Sequence, residues 1–372
     1  MKKKAIAAGH ICLDITPVFP ESKKTDIGRL IQPGKLFQVG EAEINTGGAV
    51  ANTGLGMKAL GADVKLMGKI GRDAFGAIAR GILKEYGADE GLIEVPGETT
   101  SYSVVLAPPG TDRSFLHCPG ANSTFTSSDI PDEALEDVSL FHFGYPTLMP
   151  KFYENDGEEL EKLYERVKRH GIAASLDLSA VDPDSEGGRA DWPRILKRVL
   201  PYVDFFVPSF EELASMLMKD RYEELLLSAG GEDLTGFLQI DEDVEPLGRM
   251  CLDMGAKSVL IKCGASGLFF LSGSHMGGAD SRLPLDGHKW SNLKIFIRSY
   301  RIDRVLSGTG AGDVCIAAFL TSILEGYGPK ESLEHAAAAG ALCCTSYDAV
   351  SAIPSLSLLR ERIDAGWEQN PS

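Results

Sequence analysis

The chain has 372 residues, 44% apolar and 24% charged, the balance of a soluble globular protein with room for one large α/β domain. A net charge of −16 repels nucleic acid phosphates and anionic membranes, and no Lys/Arg cluster with interleaved aromatics offsets it, so the expectation is no nucleic acid and no membrane partner. The seven cysteines are odd in number and lack any CxxC, which points to reduced, buried thiols and away from a disulfide frame or a zinc site.

The opening "MKKKAIAAGHICLDIT" reads as a first strand over residues 4–9 of a cytoplasmic protein, because Asp14 interrupts the apolar run too early for a secretion signal. A polar, Gly/Pro-punctuated stretch follows from Thr16 to Thr46, with short alternating segments in "IQPGKLFQV". "GGAVANTGLGMKALG" is a glycine turn opening a helix on which Ala51, Leu55 and Leu60 recur near helical spacing. "VKLMGKI" is a strand, and "DAFGAIARGILKEYG" a helix capped by Asp73 and closed by Gly87. "TSYSVVLAPPGTDRSFLH" is a hairpin around a Pro/Gly/Asp turn.

From residue 138 the rhythm is regular: strand 138–144, a helix in "DGEELEKLYERVKRHG", strand "IAASLDLS", a helix at about 191–200, strand "VDFFVPS", helix "FEELASMLM", strand 258–264, and helices at about 311–326 and 330–346. Such alternation implies an α/β fold with a mainly parallel central sheet and helices on both faces. The segments at about 15–45 and 98–118 break that rhythm and are expected to form a small β-sheet lid. Residues 220–245 read as an inserted helix plus loop, residues 273–303 carry no assignable element, and Gly273-Ser274-His275-Met276 is native loop.

Three places carry candidate chemistry. "SGTGAGD", Ser307 to Asp313, precedes the apolar run "VCIAAFLTSIL". A dinucleotide fingerprint would need GxGxxG in an early βαβ unit with an acid about 20 residues on, and this spacing and position reject it. Glycines at a helix N-terminus instead leave backbone N–H groups open to an anion, and an aspartate in the same turn either accepts a proton or simply caps the helix. "NTGGAVANTG" places paired glycines and Asn52 at a second helix start, and Asp14 stands just past the first strand, at the edge where parallel sheets present ligands.

Taken together, "GGAVANTGLGMKALGADVKLMGKIGRDAFG" and "SGTGAGDVCIAAFL" resemble the two signatures of the ribokinase-like, PfkB-type carbohydrate kinase family, and the resemblance runs over essentially the whole chain. It implies a three-layer ribokinase-like fold, one kinase domain over 1–372 with the lid segments inserted, and ATP-dependent transfer of a phosphoryl group to a hydroxyl of a sugar or sugar acid. It implies Asp313 as the base and the backbone of Gly310, Ala311 and Gly312 as the anion hole. Asp14, Gly48 and Asn52 match sugar-binding positions. Ser209, Lys262, Gly264, Gly267 and Gly312 match nucleotide-binding ones, and Glu212 matches a residue that organises Mg2+ indirectly. A homodimer through the lid is the expected assembly.

The chain departs from the pattern in several places. The family's NxxE is here Ser209 to Glu212, which also has the spacing of a capping box. Ser307 stands where an acid of a monovalent-cation site is common, which argues against potassium activation. Asp348 replaces a glycine and Cys315 an aromatic. Gly144 and Tyr145 stand where some members carry a sugar-binding acid, a mild argument against ribose. Arg113 in the lid hairpin either reaches an anionic substrate group or serves the turn. The alternatives are a nucleoside kinase of the same fold and a non-catalytic sugar or nucleotide binder; an intact Asp313 favours catalysis.

Overall fold

Successive residues of the central strands face opposite ways, and this alternation sorts the core into two halves. In the first strand Ala5 and Ala7 join one half while Ile6 and Ala8 join the other; Phe205 and Phe206 divide in the same way. One half is closed by the helices Ala49–Ala59, Ala311–Glu325 and Pro329–Cys343, the other by Glu158–Arg169, Trp192–Val199, Phe210–Leu217 and Glu245–Asp253. Helices on both faces of a mainly parallel sheet are what the strand–helix rhythm implies. The structure, a computed structural model, describes residues 3–20, 28, 32–108, 113–278 and 281–371.

In chain order the strands are β1 (Lys4–Gly9), β2 (Cys12–Pro17), β3 (Ala42–Gly47), β4 (Asp63–Met67), β5 (Lys69–Gly71), β6 (Ile93–Val95), β7 (Tyr102–Leu106), β8 (Ser114–Cys118), β9 (Val138–Gly144), β10 (Ala173–Asp177), β11 (Phe205–Phe206), β12 (Ser258–Lys262), β13 (Gly267–Ser272) and β14 (Lys294–Arg298). The main sheet has the order β14-β13-β12-β11-β10-β9-β1-β4. It is parallel from β4 to β12, and β13 runs antiparallel to both of its neighbours, β12 and β14. Strand order reverses at β1, which lies between β4 and β9. In an open α/β sheet that reversal opens a crevice beyond the strands' C-terminal ends.

The two segments outside the rhythm build a second sheet of order β3-β2-β7-β8. Asp14 belongs to it: past β1 as expected, the residue stands inside β2, not at the edge of the parallel sheet, and is paired with Asn45 on one side and Ser103 on the other. The tip of the hairpin between β7 and β8, residues 109–112, lies outside the described residues, as does part of the 16–46 stretch.

Two expectations need correction. Residues 32–39 form a turn at Pro33-Gly34 and no strand. The ladder between β2 and β3 ends at Val18 and Gly40, so the alternating residues beyond it have no neighbouring strand among the described residues, and Leu36 is 92% exposed. The unassigned 273–303 stretch supplies the edge strand β14 and the short helix Gly287–Trp290, whose Trp290 packs on Phe205, Phe270 and Phe319. The insert contains the helix Lys219–Ala229 followed by short helical turns. The cysteines are free thiols, five of them buried. Among the described residues no helix is long and apolar enough to cross a membrane.

Candidate active site

The helix Ala311–Glu325 is apolar on every side and buried along almost its whole length, packed on Ala49–Ala59 and Pro329–Cys343. A helix buried all round brings its N-terminus into the molecule, and with it the dipole's positive end. Gly310 is the N-cap at φ 74°. A Cβ there would lie 2.5 Å from the Cβ of Ala349, so only glycine fits the turn. Asp348 secures that neighbour by accepting from the backbone N–H groups of Val350 and Ser351.

Asp313 sits in the first turn and is 4% exposed. Its Oδ2 accepts from Asn52 Nδ2 at 3.0 Å and from the Tyr145 hydroxyl at 2.8 Å, and its Oδ1 from Thr53 Oγ1 at 3.2 Å. Burial raises its pKa above the ordinary value, against the pull of Lys262 and these three donors. A buried carboxylate so oriented, near the positive end of a helix, has the placing of a general base.

On one side of Asp313 lies the face formed by β2 and the turn before the helix Ala49–Ala59. Asp14 accepts from Cys12 Sγ, and burial raises its pKa, with donors from Cys12 and Ser103 opposing. The paired glycines make room for neighbouring side chains: a Cβ on Gly47 would fall 2.1 Å from Asp14 Oδ2, and one on Gly48, at φ 84°, 2.5 Å from His10 Nδ1. Two imidazoles tie the main sheet to the second one. His10 Nε2 lies 3.4 Å from His117 Nε2, and Ser103 Oγ bonds His117 Nδ1 at 3.0 Å. Burial holds His10 neutral by lowering its pKa to about 3, and lowers His117 as well.

On the other side are the ends of β10, β11 and β12. Lys262 Nζ contacts Asp177 Oδ1 at 2.8 Å, and the Lys262 side chain passes 3.5–3.6 Å from where a Cβ on Gly312 would stand. Burial works against the Lys262 ammonium, but the carboxylates of Asp177 and Glu212 outweigh it and raise the pKa. Ser209 and Glu212 do form a capping box: the Ser209 N–H donates to Glu212 Oε2 at 2.7 Å, and the Glu212 N–H to Ser209 Oγ at 3.3 Å. Ser209 also bridges to Lys262 beside it. Gly264 and Gly267 form the turn into β13 at φ 52° and 129°, the latter where a Cβ would strike the Ile297 carbonyl at 2.1 Å.

These contacts bring Asp313, Gly310, Ala311, Gly312, Asn52, Gly48, Asp14 and Lys262 together at the C-terminal ends of the strands, with Ser209 and Glu212 beside Lys262 and Gly264 and Gly267 in the adjoining turn. Arg113 lies across from them: Nη2 is 3.5 Å from where a Cβ on Gly308 would be, and its charge acts on Asp14. Thr53, Tyr145, Asp177, His10 and His117 join these residues in space but are not among the site residues that the sequence pattern points to. Asp177 ends β10 and Tyr145 directly follows β9, positions that a strand pattern marks, and neither carries a motif.

The family model for pfkB family carbohydrate kinases matches residues 7–356. The chain belongs to the pfkB family of carbohydrate kinases. It is a phosphotransferase of the kind that acts on sugar hydroxyls. This kinase is 25% identical to a ribokinase of Arabidopsis thaliana over 332 residues, 88% of this chain and 75% of that one. It is 22% identical to a 2-dehydro-3-deoxygluconokinase of Bacillus subtilis, over 89% and 90% of the two chains. The structure of an Arabidopsis thaliana ribokinase complexed with ribose and ATP shares its fold, with a TM-score of 0.70, 21% identity, and 97% and 98% of the chains covered.

Proposed function

We propose that this kinase transfers the γ-phosphoryl group of ATP to a hydroxyl of a sugar or sugar acid, with Asp313 as the base and the Gly310–Gly312 backbone as the anion hole. The carrying observation is the setting of Asp313: buried in the first turn of a helix and oriented by three donors from two other elements. Phosphoryl transfer needs alignment and charge stabilisation more than covalent help. Asp14, Gly48 and Asn52 form the acceptor face, and Ser209, Lys262, Gly264, Gly267 and Gly312 the nucleotide face. The whole chain acts as one kinase domain whose second sheet is a lid that excludes water, the competing nucleophile.

Magnesium takes one or two carboxylates, phosphates and several waters. Glu212, which uses Oε2 for its capping box, fits that requirement, and among the described residues no three ligating side chains converge. When bound, Mg2+ would neutralise charge on the β- and γ-phosphates.

Arg113 supports an anionic acceptor, a sugar acid over a neutral sugar, since its guanidinium sits opposite the anion loop and near Asp14. The exposed Ile44, Phe115 and Leu116 of the second sheet suit a second copy of the chain as a cover. The deciding experiment is a coupled ADP-release assay with ATP-Mg2+ against sugars, sugar acids, sugar phosphates and nucleosides. Turnover on a sugar acid above that on neutral sugars supports the reading, nucleosides as preferred acceptors replace it, and ATP binding without turnover on any acceptor reduces the protein to a binder.

A further inference from the structure

We infer that Lys262 is the fixed cation of the phosphoryl-transfer step, and that Asp177, outside both family motifs, is the residue that positions it. The inference rests on reading Asp313 and the Gly310–Gly312 backbone as the reacting centre. Lys262 ends β12 and Asp177 ends β10, with β11 between them, so both side chains leave the sheet at the same edge. Their contact of 2.8 Å is almost entirely desolvated, with side chains 11% and 1% exposed. The last carbons and the nitrogen of Lys262 pass within van der Waals distance of the Gly312 Cβ position. The ammonium is therefore held against the backbone where negative charge would develop.

Stability alone gives little reason for such a pair. Desolvating two ions costs about as much as their attraction returns, and apolar residues of similar volume serve a core as well or better. The surroundings point to chemistry instead. Asp177, Glu212 and Asp313 all act on the one Lys262 ammonium and keep it charged against burial, while burial raises the Asp177 carboxyl as well. A preorganised cation in a water-excluded site is worth far more to a charged transition state than one in solvent. An ammonium has three donors. Asp177 occupies one of them, which fixes Nζ and leaves the others to a phosphoryl oxygen.

The test compares the full-length native protein with Lys262→Met, Asp177→Asn and the double variant Asp177→Asn/Lys262→Met, using ATP-Mg2+ and the best acceptor from the panel. The double variant matters because it removes both charges of the contacting pair together. It is expected to melt within about 5 °C of the native protein. Its kcat should fall on the order of 10²–10³-fold, by more than its KM for ATP rises. Asp177→Asn alone should lower kcat about tenfold, the lysine being present but less well placed. A folded double variant with near-native kcat makes the pair structural and overturns the inference. So does a raised KM for ATP at unchanged kcat, which would make Lys262 a ground-state contact, and so does a double variant that cannot fold. If the native protein itself phosphorylates none of the acceptors, the proposed reaction fails, and that result is distinct from these.

Discussion

Asp313 and Asn52 stand 261 residues apart in the chain and 3.0 Å apart in the molecule. Their meeting depends on how closely two helices pack. In the helix Ala49–Ala59, a Cβ on Gly56 would lie 2.9 Å from the Cβ of Ala317 in the helix Ala311–Glu325. A glycine inside a helix costs up to about 1 kcal/mol relative to alanine, and here it lets the partner helix approach. The two motifs are thus halves of one site because a pair of small residues closes the gap between them.

Asp313→Asn keeps the shape and the helix start but removes the proposed base. Turnover is expected to fall about 10³-fold or more, while calorimetry still detects ATP and acceptor binding; near-native turnover would remove Asp313 from the role. Because burial raises its pKa and the base acts ionised, the native enzyme's kcat should decline on acidification through a midpoint above 3.8, the ordinary value.

Gly48→Ala tests the proposed acceptor face. The substitution places a Cβ 2.5 Å from His10 Nδ1 and 2.7 Å from the His10 carbonyl at a backbone φ of 84°. A loss of about 1–3 kcal/mol is expected in denaturant melts, together with a raised KM for the acceptor. An unchanged melt would mean that the His10 turn yields freely.

Glu211 gives a stability effect with a defined sign. Burial pushes its pKa from 4.5 up to about 7, with Glu212 and Asp233 adding and Lys262 opposing. Between those values the folded state keeps a proton that the unfolded state releases, so its contribution is complete below 4.5 and lost as pH rises through about 7. Glu211→Gln, neutral throughout, should therefore gain stability relative to the native protein across that window, by about 2–3 kcal/mol at pH 8. Denaturant titrations at pH 4.5 and 8 check this, and an equal difference at both would contradict it.

Ser307 bears on cation dependence. Its hydroxyl bonds Thr309 Oγ1 at 2.9 Å and accepts from the Thr309 N–H at 3.1 Å, so it stabilises the loop without supplying a carboxylate. Replacing K+ by Na+ at constant ionic strength should change the rate less than about twofold, since a neutral hydroxyl is a weaker cation ligand than a carboxylate. A strong preference for K+ would place the cation on other groups.

The sequence by itself determined the layers of the fold and the two glycine-led helix starts. Strands such as Val138–Gly144 are mainly apolar and buried at every position because both faces are covered, and glycine turns are legible because few other residues tolerate their backbone. It also determined the capping box at Ser209 and Glu212, which is local. What only the tertiary structure decided is the company each site residue keeps. Asp14 reads from sequence as standing just past the first strand, at the edge of the parallel sheet, yet its environment is set by β3 and β7 across the second sheet. Tyr145 reads as a missing acid, yet its hydroxyl reaches Asp313 across 168 residues. Asp177 looks like one more residue of a buried strand until β12 brings Lys262 beside it. Periodicity and turn chemistry act over a few residues and can be read along the chain. Charge pairing and desolvation depend on distance in space, which the packing of the two core halves sets.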